Sequence, residues 1–101
     1  MAVKSHRSAD GEEIRITISG RFDFSSHHEF REAYESTAVK PKSYVIDMAD
    51  ASYLDSSALG MLLLLRDYAG GDSAKISIIN SNSDVKKILT ISNFEQLFKI
   101  E

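Results

Sequence analysis

The segment Leu54-Asp55-Ser56-Ser57 places a carboxylate and two hydroxyls between a strand-like apolar run and a helix-like apolar run. It joins the carboxyl end of a buried strand to a helix N-terminus, where unpaired backbone N–H groups favour a negative group. Two interpretations remain open. Asp55 or Ser56 acts only as the helix cap, or Ser56 accepts a phosphate, which adds nearly two negative charges beside Asp55. The helix end would tolerate that charge, whereas an acidic or apolar partner would be repelled.

Other reactive residue types form no recognisable catalytic or metal-binding motif. His27 and His28 are adjacent, and adjacent helical residues point about 100° apart, so they are poorly placed to share one metal ion. Asp23 has two open roles, as a turn residue or as a carboxylate near Ser56, since both follow the carboxyl ends of strands. Gly70-Gly71 indicates a helix stop. The sequence therefore predicts no metal site, no catalytic residue and no cofactor.

The order of the predicted elements is ββαβαβαβ, an α/β fold. The predicted strands cover residues 3–8, 13–19, 43–48, 75–79 and 98–100, with helices after residue 26, over 56–69 and after the cap-type residues 80–83. Alternating strands and helices imply a mixed, mostly parallel sheet of about five strands with helices packed on it. Working sites in such sheets lie at the carboxyl ends of the strands, and the predicted loop 49–55 leaves such an end.

Local signals refine this pattern. Gly20 is expected to end the second strand, and Ser26 followed by Glu29 indicates a capping box at the start of the first helix. The run Tyr44-Val45-Ile46 is typical of a strand covered on both faces. Helical spacing gives the first helix one apolar face, made of Phe30, Ala33, Tyr34 and Thr37.

The helix after Ser56 is apolar on more than one face. At about 100° per residue, one face should pack on the sheet: Ala58, Met61, Leu62, Leu65 and Ala69. The opposite face carries Ser56, Leu59, Gly60, Leu63 and Asp67, with Leu64 at its margin. An outward face should be more polar than this. Either these leucines form an apolar patch that marks a partner surface, or neighbouring helices cover them.

Composition narrows the class of protein. The chain has 101 residues, which predicts a single domain over 1–101. A net charge of -3 without a strongly basic segment argues against nucleic acid as a partner. The absence of cysteine excludes disulfides and thiol catalysis. The longest apolar run, residues 58–65, is far shorter than the roughly 20 residues of a membrane span, so we expect a cytoplasmic protein without a membrane partner.

Three segments resemble a known family. Ile46-Asp47-Met48 followed by Tyr53-Leu54-Asp55-Ser56-Ser57-Ala58-Leu59-Gly60 is similar to the signature of STAS domains, the sulfate transporter and anti-sigma factor antagonist domains. Gly20-Arg21-Phe22-Asp23 resembles the family's turn after the second strand, and residues 92–100 resemble its C-terminal signature. Ala58 departs from the glycine of many antagonists, and the chain stops before the final helix that many relatives carry.

The resemblance implies a stand-alone anti-sigma factor antagonist. In such proteins the serine after the motif aspartate, here Ser56, is phosphorylated by the partner kinase, and the position of Ser57 is not the main acceptor. The implied partners are an anti-sigma factor or related regulator with serine kinase activity, and a PP2C-type phosphatase. The partner-binding residues are expected to be Asp23, Asp55, Ser56, Ser57, Leu59, Gly60 and Leu63, in a monomer or weak dimer.

Two other functions remain to be compared with this one. The first stays within the family: a STAS component of a transporter or of a multi-protein sensor complex. The second is a small enzyme on a flavodoxin-like scaffold. The enzyme is disfavoured because the sequence has no P-loop, no dinucleotide fingerprint and no evident acid–base pair.

Overall fold

Alternating apolar residues on neighbouring strands build one buried face of a five-stranded sheet. A computed structural model describes residues 3–35 and 40–101 of the chain. Its elements, in chain order, are β1 (Val3–Arg7), β2 (Glu13–Phe22), α1 (His27–Glu35), β3 (Ser43–Leu54), α2 (Ser56–Ala69), β4 (Ile76–Ile79), α3 (Ser83–Ile91) and β5 (Lys99–Ile100). The strands lie side by side in sequence order; β1 pairs antiparallel with β2, and the other pairs are parallel. The predicted ββαβαβαβ order and mostly parallel sheet are confirmed.

The core lies between the sheet and the three helices. Ile16, Ile46 and Ile78 are cross-strand partners with no exposed surface, and the buried residues of all three helices join the same cluster. Val45 and Ser77, which alternate with them on the opposite face, are only half-buried. The helices therefore cover one face of the sheet. The prediction that the run 44–46 is covered on both faces was wrong, because Val45 points to the uncovered face.

Two strands are longer than predicted. β3 continues through the expected loop to Leu54, and β2 continues past Gly20 to Phe22. The pairing shifts twice along this extension, between Thr17 and Ser19 and between Gly20 and Arg21, so that β3 gains one residue on β2 at each shift. Gly20 has a φ of 72°, which glycine adopts at little cost in a bulge. The prediction that Gly20 ends the second strand was therefore wrong, since β2 continues through Gly20 and stays paired with β3 as far as Phe22.

The start of the first helix also differs from the prediction. A 3₁₀ turn, Phe24–Ser26, precedes α1, and its cap is Asp23 rather than Ser26. Ser26 is buried within this turn and its N–H donates to the carbonyl of Asp23, so no capping box with Glu29 forms. Phe30, Ala33 and Tyr34 are buried as predicted, whereas Thr37 lies outside the described residues. In the described part of the chain no helix is both long and apolar enough to cross a bilayer.

Candidate functional site

The carboxyl ends of β2 and β3 bring two aspartates together. Phe22 pairs with Leu54 at the last position of the register, so the next residues, Asp23 and Asp55, leave neighbouring strands at the same edge. The negative charge of Asp55 acts on the Asp23 carboxyl and opposes the lowering of its pKa. The structure therefore shows Asp23 in both of the positions that the sequence left open: it caps the Phe24–Ser26 turn, and it lies beside the Asp55–Ser56 turn.

Asp55 is the N-cap of α2. Its backbone is extended, and its Oδ1 accepts hydrogen bonds from the Ala58 N–H at 3.0 Å and from the Ser57 hydroxyl at 2.6 Å. The bond from the Ser57 hydroxyl has the larger effect and the bond from the Ala58 N–H the smaller one, and together they hold the pKa of the Asp55 carboxyl below its ordinary value. A charged cap at this end is also favoured by the helix dipole. The cap is thus Asp55, and the Ser57 hydroxyl is engaged with it.

Ser56 occupies the first position of α2 and is exposed. Among the described residues its hydroxyl makes no hydrogen bond, whereas the neighbouring Ser57 hydroxyl is held by Asp55 and is only partly exposed. A free hydroxyl at an exposed helix N-terminus is sterically accessible to an incoming phosphoryl group. The helix end would also stabilise the added negative charge.

Asp23 repeats the arrangement of Asp55 on a smaller scale. Its Oδ1 accepts from both the hydroxyl and the N–H of Ser25, the second residue after it. These bonds lower the pKa of the Asp23 carboxyl, and Arg21, whose Nε lies 3.6 Å from Asp23 Oδ2, lowers it further. The edge therefore carries two carboxylates that stay ionised at neutral pH.

The predicted division of α2 into two faces is confirmed for its buried side. Ala58, Met61, Leu62 and Leu65 are buried, and Ala69 packs against the core while remaining half-exposed. On the outward side Leu63 is 39% exposed and Leu64 is 53% exposed. Gly60 is exposed and Leu59 is half-buried against the core. No neighbouring helix covers Leu63 and Leu64 within the described chain, so an apolar patch does follow Ser56 along α2.

Sequence reasoning missed an aromatic and cationic fringe at the same edge. Phe24 is 68% exposed and stacks on His27, and the Arg21 guanidinium lies 4.7 Å from the centre of the half-exposed Tyr53 ring. Arg21 and Tyr53 are a cross-strand pair, one position before Phe22 and Leu54. The fringe was missed because residues 49–55 were predicted as a loop, whereas alternation from the buried Leu54 would have placed Tyr53 outward.

The histidines take no part in a metal site in the described residues. His28 Nε2 lies 3.4 Å from Glu32 one turn along α1, and His27 stacks on Phe24. No group of three or more histidine, cysteine or carboxylate ligands occurs in 3–35 and 40–101. Gly70 ends α2 and donates its N–H to the carbonyls of Arg66 and Asp67. The predicted helix stop at Gly70-Gly71 is therefore confirmed.

Comparison with known sequences relates nearly the whole chain to one family. A family model described as "Mlab, STAS domain" matches residues 5–100. A STAS-domain containing protein of Pseudomonas aeruginosa is 62% identical over 100 residues, which cover 99% of each chain.

Solved structures share the fold at low sequence identity. The anti-sigma factor antagonist SpoIIAA in its unphosphorylated form matches with a TM-score of 0.76 at 15% identity, over 99% of this chain and 87% of that one. Bacillus SpoIIAA in the phosphorylated form matches with a TM-score of 0.68 at 15% identity, over 99% and 91%. A sulfate transporter family protein from Wolinella succinogenes matches with a TM-score of 0.75 at 12% identity, over 93% and 80%. At these identities the matches establish the fold alone.

Proposed function

The chain belongs to the STAS domain family, and on that premise we propose that it is an anti-sigma factor antagonist that works by partner switching. The unphosphorylated form binds and sequesters an anti-sigma factor or a related regulator of the serine kinase type. Phosphorylation of Ser56 releases that regulator, and a PP2C-type serine phosphatase restores binding. The chain itself is a binding protein rather than an enzyme, and because the phosphate donor is the kinase's ATP, we place the switch in the cytoplasm.

The observation that carries this proposal is the difference between two adjacent hydroxyls. Ser56 is exposed and its hydroxyl makes no hydrogen bond in the described residues, whereas the Ser57 hydroxyl donates to Asp55 at 2.6 Å. In the transfer, the Ser56 oxygen forms a bond to the γ-phosphorus of ATP, ADP leaves and the hydroxyl proton passes to a base of the kinase. Ser57 would first have to break its bond to the cap.

The electrostatics support release after phosphorylation. A phosphate carries about -1.5 to -2 charges at neutral pH and would join the ionised Asp23 and Asp55 at one edge. The free chain tolerates it, since a helix N-terminus favours an anion by roughly 0.3–1 kcal/mol. In a docked interface the same charge would be desolvated, at a cost of several kcal/mol when unpaired. Because each 1.4 kcal/mol is about tenfold in affinity, we expect a loss of about a hundredfold or more.

A transporter role is the second candidate. It is favoured by the structural match to a sulfate transporter family protein. In that case the chain would bind a transporter subunit, and its affinity would not depend on a charge at Ser56.

The test compares three variants of the full chain. Proteins captured by wild type, Ser56→Asp, Ser56→Ala and Ser57→Ala are identified by mass spectrometry, and their affinities are then measured with purified components. We expect Ser56→Asp to keep the fold and lose the regulator, and Ser56→Ala to bind it but no longer be released by kinase and ATP. Ser57→Ala, the matched control, should still be released. Phosphate mapped to Ser57 alone, or full binding by the Ser56 phosphoprotein, would overturn the proposal.

A further inference from the structure

Gly60 lies at the centre of the outward face of α2, yet nothing within the described chain requires a glycine there. A Cβ added at Gly60 would meet no atom of the described residues within 4 Å. Glycine in a helix interior is less favourable than any ordinary residue except proline, because it loses the most backbone entropy. Position 60 therefore weakens α2 without a compensating contact inside this molecule, which points to a contact outside it.

The residues around Gly60 form a hole of the kind that receives a side chain from another helix. Gly60, Leu63, Leu64 and Asp67 stand at positions i, i+3, i+4 and i+7, the four corners of a hole in knobs-into-holes packing. Leu63 and Leu64 are exposed and form apolar walls, while Gly60 has no side chain and leaves its corner of the hole open. Ser56 lies one turn before Gly60 on the same face.

We infer that this hole receives a large apolar side chain from an α-helix of the partner, packed along α2. The inference rests on the proposed function, since the partner is the regulator that phosphorylation of Ser56 releases. A helix is the fitting occupant because the ridges and grooves of one helix accept side chains spaced three and four residues apart on another. This partner helix lies across Ser56 as well as Gly60, so a phosphate on Ser56 and the hole beside Gly60 act on the same helix of the partner.

Charge argues against a second copy of this chain as the occupant. The outward face of α2 is bordered by Asp23 and Asp55 at one end and by Asp67 at the other. Two nearby cations are already paired: Arg66 is bonded to Asp72 at 2.8 Å, and Arg21 lies 3.6 Å from Asp23, which leaves Asp55 and Asp67 without a cation from these two. The chain has a net charge of -3, so two copies packed through α2 would bring like charges together. The occupant is therefore a different protein whose docking helix is apolar at its centre and not acidic.

The first experiment separates stability from binding. The probe is the purified protein that binds wild type and is lost on Ser56→Asp. We expect Gly60→Ala to raise Tm by about 4–8 °C, because alanine favours the helix and its methyl group meets nothing. The same variant should weaken binding about tenfold or more, and Gly60→Leu about a hundredfold or more. Thr90→Ala on α3, also an exposed helical site, should raise Tm and leave binding unchanged.

The second experiment identifies the occupant. The chain has no cysteine, so Leu64→Cys and Asp67→Cys can each carry a benzophenone crosslinker. Crosslinks from the two sites to positions about one turn apart in one partner helix support the inference. Crosslinks to an extended segment, or a dimer that Gly60→Ala dissociates, would overturn it.

The two proposals fail in distinguishable ways. Wild-type affinity in both Gly60 variants, with binding still lost in Ser56→Asp, would end the inference and leave the proposed function standing. A lower Tm in Gly60→Ala would also end it, since the methyl group would then have an unfavourable contact within the fold. If no protein is released by Ser56→Asp, the proposed function is wrong and the inference falls with it.

Discussion

At the scale of single residues, the cap of α2 and the proposed phosphorylation site are different side chains. The sequence alone left open whether Asp55 or Ser56 caps α2. In the structure Asp55 is the cap and holds the Ser57 hydroxyl, so Ser56 is left with an exposed, unbonded hydroxyl among the described residues. Capping preferences could not decide this, because Asp and Ser are about equally good N-caps. Which residue caps α2 depends on where β3 ends, and the sequence pattern predicted that end six residues too early, at Met48 and not at Leu54.

The Asp55 cap predicts a specific acid sensitivity. Ser57 and Ala58 hold the pKa of Asp55 below the ordinary 3.8. The carboxylate therefore contributes its full stabilisation at pH values well above 3.8, and it loses that contribution as the pH falls through its lower pKa in the folded state. Asp55→Asn keeps a capping oxygen but cannot titrate. We therefore expect Tm to fall less in Asp55→Asn than in wild type between about pH 7 and about pH 3, measured by circular dichroism.

Other carboxylates make both wild type and Asp55→Asn less stable in acid. The pKa values of Asp10 and Asp23 are lowered too, so part of the acid loss persists in the variant. Asp67→Asn on the outward face of α2 is the matched control, because the Asp67 side chain accepts no hydrogen bond in the described residues. An equal fall in Tm for wild type and Asp55→Asn would contradict the assigned role of the Asp55 charge.

At the scale of elements, regular segments were predictable and irregular pairing was not. The helical period identified the buried face of α2 correctly. The ends of β2 and β3 were missed because two register shifts break the alternation: Ala51 and Leu54 are buried three residues apart rather than two. A bulge depends on both strands at once, whereas a pattern read along one strand sees only a loss of period. Those same bulges bring Asp23 beside Asp55.

Two adjacent leucines of α2 give a prediction at this scale. Leu62 is fully buried, and Leu63 is 39% exposed. We expect Leu62→Ala to destabilise the fold by about 2–5 kcal/mol, because it leaves a cavity, and Leu63→Ala to change stability by less than about 1 kcal/mol. Partner affinity should show the reverse order once both proteins are folded, with Leu63→Glu weaker still. Thermal melts beside titrations with the purified regulator test this. Unfolding by Leu63→Glu would instead place Leu63 in the core.

At the scale of the whole molecule, strand order explains why all helices share one face. From β2 onward each parallel strand is added on the same side of the last one. Right-handed crossovers in a constant direction put every connecting helix on the same face of the sheet. An apolar run such as Tyr44-Val45-Ile46 does not reveal the order of the strands, which is why it predicted coverage on both faces of the sheet. The result is one core that all three helices share with the sheet.

A single shared core predicts that the chain unfolds as one unit. At roughly 0.7 kcal/mol per residue, unfolding should absorb about 70 kcal/mol near 60 °C in a single transition. Far-UV circular dichroism follows all elements, whereas tyrosine fluorescence follows α1, β3 and α2, which carry the four tyrosines. Tyr34 and Tyr68 form a pair between α1 and α2, with ring centres 5.2 Å apart. Leu89→Ala in α3 removes a fully buried side chain and should destabilise by about 2–5 kcal/mol.

Because α3 and the tyrosine pair share one core, both signals should shift to the same lower midpoint. Ile91→Ala on the same helix, 71% exposed, is the control and should leave both midpoints near wild type. A dichroism midpoint that falls in Leu89→Ala while the tyrosine midpoint stays fixed would mean that α3 unfolds separately. The single-domain assignment over 1–101 would then be wrong, because the helices would belong to more than one cooperative unit.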